Sequence, residues 1–294
     1  MDQAHDIAAA AKTIAVLGGD ARQAYAARAL LRAGFRVVHF GVPQAAREIG
    51  EAADSLAGAL DEADILLGPL PFLRDDSLFG CRDMPRAEFE AHLSPRHTLV
   101  AGCVPEPVRA LCAKLDVKAF ALLDREDYTL LNAVPTSEGA IAEAIVRGPG
   151  NIQRGGCLVL GYGRCGKVLA RQLKGMGAQL RVGVRRWESA CAVRSDGFEA
   201  LDLTQLPLAL PETAYIWNTI PAPVLGEALL RLLPEEAVII DIAAAPGGTD
   251  FPAAKALGLR AGLFPGLPGR YAPKAAGEAV AQATQVLLRE EGLI

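Results

Sequence analysis

Residues 157–186 read "CLVLGYGRCGKVLARQLKGMGAQLRVGVRR". An apolar run meets a glycine turn, an amphipathic segment follows, and a second apolar run closes on two arginines. This is the order strand, turn, helix, strand of a dinucleotide-binding βαβ unit. Gly161 permits the tight turn, Gly163 lets the backbone approach a pyrophosphate, and Gly166 lets helix and strand pack closely. Arg164 and Cys165 lie in the same turn, where the first amides of the helix face the phosphates. In many such units the second strand ends on Asp or Glu, which accepts bonds from the adenine ribose. Here Arg185 and Arg186 stand there. A guanidinium offers a planar fork of donors to a 2′-phosphate, so the expected cofactor is NADP. Arg185 is nearer the strand and is the preferred binder; two solvated surface charges are the other reading.

Downstream of this unit, "AYIWNTI" (214–220), "AVIIDIA" (237–243) and "GLRAGL" (258–263) read as further buried strands. Ligands of open α/β sheets lie beyond the carboxyl ends of the strands. That places Asn218, Thr219, Ile220 and Pro221 after one strand, and Asp241 and Ala243 at the end of the next, within reach of ribose or nicotinamide. Gly247-Gly248 reads either as a small segment that admits a flat ring or as a surface turn. Upstream, "TIAVLGG", "RVVHF", "ADILLG", "HTLVAG" and "VKAFALL" alternate with helical patterns, and residues 70–96 read as Pro-rich and irregular. Apolar strands alternating with helices specify parallel sheets covered on both faces. The fold expected is α/β: a flavodoxin-like N-terminal domain and an NADP-binding Rossmann domain, both doubly wound parallel sheets, with a cleft between them. The boundaries are 1–135, a connecting helix at 136–150 capped by Thr136 or Ser137, the Rossmann domain at 151–272, and a C-terminal helix at 273–294 that packs back on the first domain.

The composition narrows the function classes. A formal net charge of −4 over 294 residues gives no electrostatic case for nucleic acid or an anionic membrane surface. No run reaches the roughly 18 apolar residues of a spanning helix. The N-terminus "MDQAHDIAAAAKTIAVLGG" has no basic segment before a long apolar one, so a cytoplasmic protein is expected. None of the six cysteines forms a C-x-x-C pair, and the four histidines, His5 in a frayed end among them, supply no ligand pair, so no metal site is expected.

The first half has its own glycine turn, "GGDARQ" (18–23), without the third glycine of the fingerprint. Asp20 there would repel a phosphate. Arg22 either clamps a substrate carboxylate or is a surface charge beside an Asp20 helix cap, and both readings stay open. Lys274, in the first turn of the last helix, is a second candidate for an anionic substrate, against a solvated lysine.

Taken together, "GGDARQ", "NAVPTSEGAIAEAI", "VLGYGRCGK", "NTIP", "DIAAAPGGTDF" and "PGLPGRYAPKAAG" resemble the dipicolinate synthase A-subunit family. They occur in that family's order and span residues 18 to about 277; the stretch from about 41 to 96 carries no match. The resemblance implies oxidation of a dihydrodipicolinate-type ring to dipicolinate with NADP as hydride acceptor. It also implies a partner, the flavoprotein-like B-subunit of dipicolinate synthase, and the mother cell of a sporulating bacterium as location; an oligomer is expected. Arg22, Lys274 and the Thr136 and Ser137 hydroxyls would meet the two ring carboxylates, and water, Asp20 or Glu138 would take the proton. Two alternatives remain: an NADP-dependent dehydrogenase of another small acid, and a subunit that holds NADP without chemistry of its own.

Overall fold

The computed structural model describes residues 12–81 and 84–294; His5 lies outside them. The chain divides into two compact units. One comprises the residues up to Asn132 together with Ala272–Ile294, the other Ala133–Tyr271.

The first unit runs β1 (Thr13–Leu17), α1 (Ala21–Arg32), β2 (Arg36–Phe40), β3 (Glu51–Ala52), α2 (Leu56–Glu62), β4 (Ile65–Leu67), β5 (Leu73–Arg74), β6 (Ser77–Leu78), α3 (Arg86–His92), β7 (Thr98–Ala101), α4 (Glu106–Lys114) and β8 (Lys118–Ala121). Its six-stranded sheet has the order β3-β2-β1-β4-β7-β8, all parallel. Without the two-residue edge strand β3, the order is the flavodoxin-like 2-1-3-4-5. β1, β4 and β7 are buried along their whole length, which is why they read as continuous apolar runs. Residues 70–96, expected to be irregular, instead hold the β5–β6 hairpin and α3. Phe72 and Phe89 are fully buried there and meet edge to face at 5.3 Å between centroids. Phe72 and Phe89 are 17 residues apart and carry the packing with Leu78 and Leu93, and as a set they follow neither helical nor strand periodicity.

α5 (Glu126–Arg147) corrects the connecting helix. It starts ten residues before Thr136, so neither Thr136 nor Ser137 is a cap. "PTS" carries the local chemistry of a helix start. Burial of Tyr128 and Ala133 on the preceding turns wins, with Glu126 and Asp127 favouring the N-terminal turn electrostatically. Pro135 sits inside the helix at the loss of one backbone bond.

The second unit continues with β9 (Gly156–Leu160), α6 (Arg164–Gly175), β10 (Gln179–Val184), α7 (Trp187–Ser195), β11 (Glu199–Asp202), α8 (Leu206–Ala209), β12 (Tyr215–Asn218), α9 (Glu227–Leu230), β13 (Val238–Asp241), α10 (Phe251–Ala256), β14 (Arg260–Leu263) and α11 (Leu267–Tyr271). Its parallel sheet has the order β11-β10-β9-β12-β13-β14, a Rossmann arrangement whose switch point lies between β9 and β12. The indole of Trp217 is fully buried and donates to the carbonyl of Ala140, 3.0 Å away, tying α5 to the sheet.

α12 (Pro273–Glu290) belongs to the first unit, where it packs against α1. Gly277 makes that approach possible. A Cβ there would lie 2.3 Å from the carbonyl oxygen of Arg22 and 2.7 Å from Cβ of Tyr25. Gly277→Val is therefore expected to destabilise the protein by about 1–3 kcal/mol through overpacking. The urea midpoint measures it, and a wild-type midpoint would contradict so close a crossing.

Candidate dinucleotide site

The glycine turn lies between β9 and α6 at the switch point of the second sheet. Its three glycines are required for different reasons. Gly161 has φ +94°, and a Cβ on it would lie 2.4 Å from Oγ1 of Thr219. A Cβ on Gly166 would lie 2.3 Å from the carbonyl oxygen of Gly161. These two are small because the protein itself fills the space. Gly163 differs: its φ is −79°, and a Cβ there meets nothing within 4 Å. The opening at Gly163, at the N-terminus of α6, is the cradle that a pyrophosphate requires.

Beside it is a cavity of about 390 Å³ lined by Gly161, Tyr162, Gly163, Val184, Arg185, Arg186, Ser189, Leu203, Ile220, Ala222, Pro223 and Val224. Arg185 and Arg186 are both exposed, and among the described residues neither pairs with a carboxylate. Apolar walls from Val184, Leu203 and Ile220 with a cationic rim suit an adenosine carrying a phosphate. Of the expected residues, Gly161, Gly163, Arg185, Arg186 and Ile220 come together here. Tyr162 and Ser189 were not foreseen. Ser189 lies four residues beyond Arg185 in α7, a spacing legible in the sequence once that helix is placed.

The loops after β12 and β13 correct two other expectations. Asn218 and Asp241 are fully buried and face each other instead of a ligand. Oδ2 of Asp241 accepts hydrogen bonds from Nδ2 of Asn218, the amide of Gly248 and Oγ1 of Thr249, each at 2.9 Å, and Oδ1 accepts from the amide of Ala243 at 3.1 Å. Asn218 also accepts from the amide of Ile220 at 3.0 Å and donates to its carbonyl at 3.1 Å. Both side chains therefore position loops, and Ile220 reaches the cavity because Asn218 holds it. Gly247 and Gly248 are buried, not a surface turn. A Cβ on Gly248 would lie 2.6 Å from both the Ala222 carbonyl oxygen and the Asn218 amide nitrogen. Thr219 bonds back to the carbonyl of Leu160 at 2.8 Å, and Pro221 is exposed. Arg164 is exposed, Gly166 is buried, and burial pushes the Cys165 thiol up from its usual pKa, so it is no ready nucleophile.

In the first unit, Arg22 does hold a carboxylate, but an internal one. Its Nε lies 2.9 Å from Oδ1 of Asp20, and one terminal nitrogen lies 2.8 Å from Oδ2 and 2.6 Å from the carbonyl of Leu70. Asp20 also accepts from the Arg22 amide at 3.0 Å as the N-cap of α1. The substrate clamp assigned to Arg22 is thus corrected to a helix cap and a half-buried ion pair, because the nearest carboxylate is two residues away. Ser137 is fully buried and donates to the carbonyl of Cys165 at 3.4 Å, so it braces the glycine turn. Glu138 and Lys274 are exposed, and Thr136 is half-buried in mid-helix.

Residues 13–123 match the family model of the N-terminal domain of the dipicolinate synthase A-subunit. The A-subunit of dipicolinate synthase from Bacillus subtilis (strain 168) is 29% identical over 284 residues, 94% of this chain and 96% of that protein. The crystal structure of the Bacillus halodurans dipicolinate synthase A-subunit superposes with a TM-score of 0.84 at 28% identity, covering 94% of this chain and 97% of that one. Over nearly its whole length this chain is similar to the dipicolinate synthase A-subunit. The crystal structure of the B. subtilis protein likewise superposes, with a TM-score of 0.83 at 27% identity over 96% of this chain and 97% of that one. A transhydrogenase from Sinorhizobium meliloti shares the fold at a TM-score of 0.70 and 16% identity, covering 95% of each chain. Among the described residues no helix is long and apolar enough to cross a membrane.

Proposed function

We propose that this chain is the oxidoreductase subunit of a dipicolinate synthase, oxidising a dihydrodipicolinate-type ring with NADP as acceptor. The observation that carries the reading is the unpaired Arg185–Arg186 pair on the rim of the cavity beside the open Gly163. A nicotinamide dinucleotide supplies one capacity, acceptance of a hydride. The ring loses that hydride and a proton and becomes an aromatic pyridine dicarboxylate, so the balanced products are dipicolinate, NADPH and H⁺. The residues of the chain bind, orient and exclude water. The amides that open α6 would hold the pyrophosphate, and Arg185 would hold the 2′-phosphate. Lys274, exposed in the first turn of α12, is the cation left for a ring carboxylate now that Arg22 is committed to Asp20. Both Asp20 oxygens accept from Arg22, which leaves Glu138 or water to receive the proton. A flavoprotein-like partner and a cytoplasmic site in a sporulating mother cell complete the reading, which the similarity to the dipicolinate synthase A-subunit supports.

The test is a pair of titrations with NADP and NAD on wild type and Arg185→Ala. A charge-assisted contact is worth roughly 1.5–3 kcal/mol, so NADP affinity is expected to fall about tenfold to a hundredfold with NAD nearly unchanged. Equal losses for both nucleotides would mean that Arg185 does not read the 2′-phosphate. Turnover with and without the flavoprotein-like partner separates an enzyme from a holder of nucleotide.

A further inference from the structure

We propose that the first unit carries a second anion site, for a small phosphate-bearing molecule, between α1 and the loop at residues 41–50. A cavity of about 1020 Å³ opens there, with Arg28, Arg32, His39, Gln44, Arg47 and Glu48 on its walls. Ligand sites commonly enclose roughly 300–1,000 Å³, so the space is ample for a phosphorylated metabolite. No part of the proposed NADP reaction uses it.

The charge distribution points to the ligand. Arg28 and Arg32 are four residues apart on α1, so they share a face and repel each other. Arg47 adds a third guanidinium from the loop. Among the described residues none of the three pairs with a carboxylate; Arg28 lies over the ring of Tyr25, 5.0 Å from its centroid. Glu51 and Glu62, which do not line the cavity, both go to Arg36, at 3.0 and 2.6 Å. Glu48 is the single carboxylate on the wall. Burial lowers the pKa of His39, so at neutral pH its imidazole contributes hydrogen bonding and no charge. Arginines without a carboxylate partner also line the cavity at the Arg185–Arg186 rim of the second unit.

The wall is also built to a fixed shape. Val42 and Ile49 are buried at the two ends of the loop. Gly50 has φ +100°, and a Cβ on it would lie 2.2 Å from the carbonyl oxygen of Val37. The loop therefore holds Arg47 opposite α1 without ordering on binding. Three planar forks from two elements exceed what a single carboxylate satisfies. They match a phosphate group, which carries up to two charges and three peripheral oxygens.

The experiment is calorimetric titration of the full chain with inorganic pyrophosphate, glucose 6-phosphate and, as a carboxylate control, citrate. Saturable binding of at least one phosphate is expected. It should weaken at least tenfold in Arg47→Gln and in Arg28→Gln/Arg32→Gln, and persist in Gly163→Val, which blocks the pyrophosphate cradle of the nucleotide site. Preference for glucose 6-phosphate over pyrophosphate would identify an organic phosphate, and the reverse a free one. Arg47 is exposed on a loop, so its variant keeps the test valid if the double variant does not fold. No saturable phosphate binding at millimolar concentration would overturn the proposal. So would citrate binding as tightly as the phosphates, or binding lost in Gly163→Val and retained in Arg47→Gln. The last result would trace the signal to the nucleotide site, and the NADP reading would survive it.

Discussion

Gly163→Val is expected to abolish most nucleotide binding in a protein that remains folded. The backbone at this position, φ −79° and ψ −164°, is one that a β-branched residue adopts readily. A Cβ there meets no atom of the protein within 4 Å, so the fold loses little. Val is a poorer N-cap than Gly, which costs about 1 kcal/mol at most. The isopropyl group stands where a pyrophosphate must touch the amides opening α6. Crowding of that kind costs roughly 1–3 kcal/mol, and the lost amide contacts add to it, so affinity should fall on the order of a hundredfold. A urea titration and an NADP titration of the same sample check both halves. Wild-type affinity in a folded variant would move the cofactor site elsewhere. Gly161→Val should behave in the opposite manner, losing stability first, because Thr219 already occupies that space.

Asp241 carries the second large effect, on stability. It is fully buried, and four donors converge on its two oxygens. Asp241→Ala leaves those donors without an acceptor. Each stranded buried group costs about 1–3 kcal/mol and such losses are not additive, so about 3–4 kcal/mol is expected in total. Asp241→Asn is the sharper probe. Both carboxylate oxygens only accept, so in either amide orientation the new NH₂ faces an N–H or O–H donor. With the NH₂ turned toward the single Ala243 amide, the cost should be about 1–3 kcal/mol. Denaturant unfolding measures both variants. Because Asn218 holds Ile220 on the cavity wall and Asp241 holds Asn218, nucleotide affinity should weaken several-fold as well. An Asn variant as stable as wild type would contradict the arrangement around Oδ2.

The parallel sheets were legible because their cause is local and repeated. β1, β4, β9, β12 and β13 are buried on both faces, and a short apolar run bounded by turn residues records that directly. The elements that escaped are those whose stability comes from elsewhere. β3 is a two-residue exposed edge and β11 a four-residue edge, each held by one neighbouring strand. α3 exists because Phe89 finds Phe72, and α5 starts early because Tyr128 and Ala133 are buried.

The candidate site divides along the same line. The sequence by itself determined the two doubly wound folds, the glycine turn at a switch point and the cations after β10, since strand, turn and helix signals act over a few residues. Only the tertiary structure decided which polar residues are free to meet a ligand. Asp20, Arg22, Ser137, Asn218 and Asp241 have the chemistry of binding residues, yet each is spent inside the protein. Gly163, Arg185 and Arg186 face open space beside one another. A buried polar group must find a partner within the fold, and which partner is near enough depends on contacts between distant parts of the chain that no local pattern encodes.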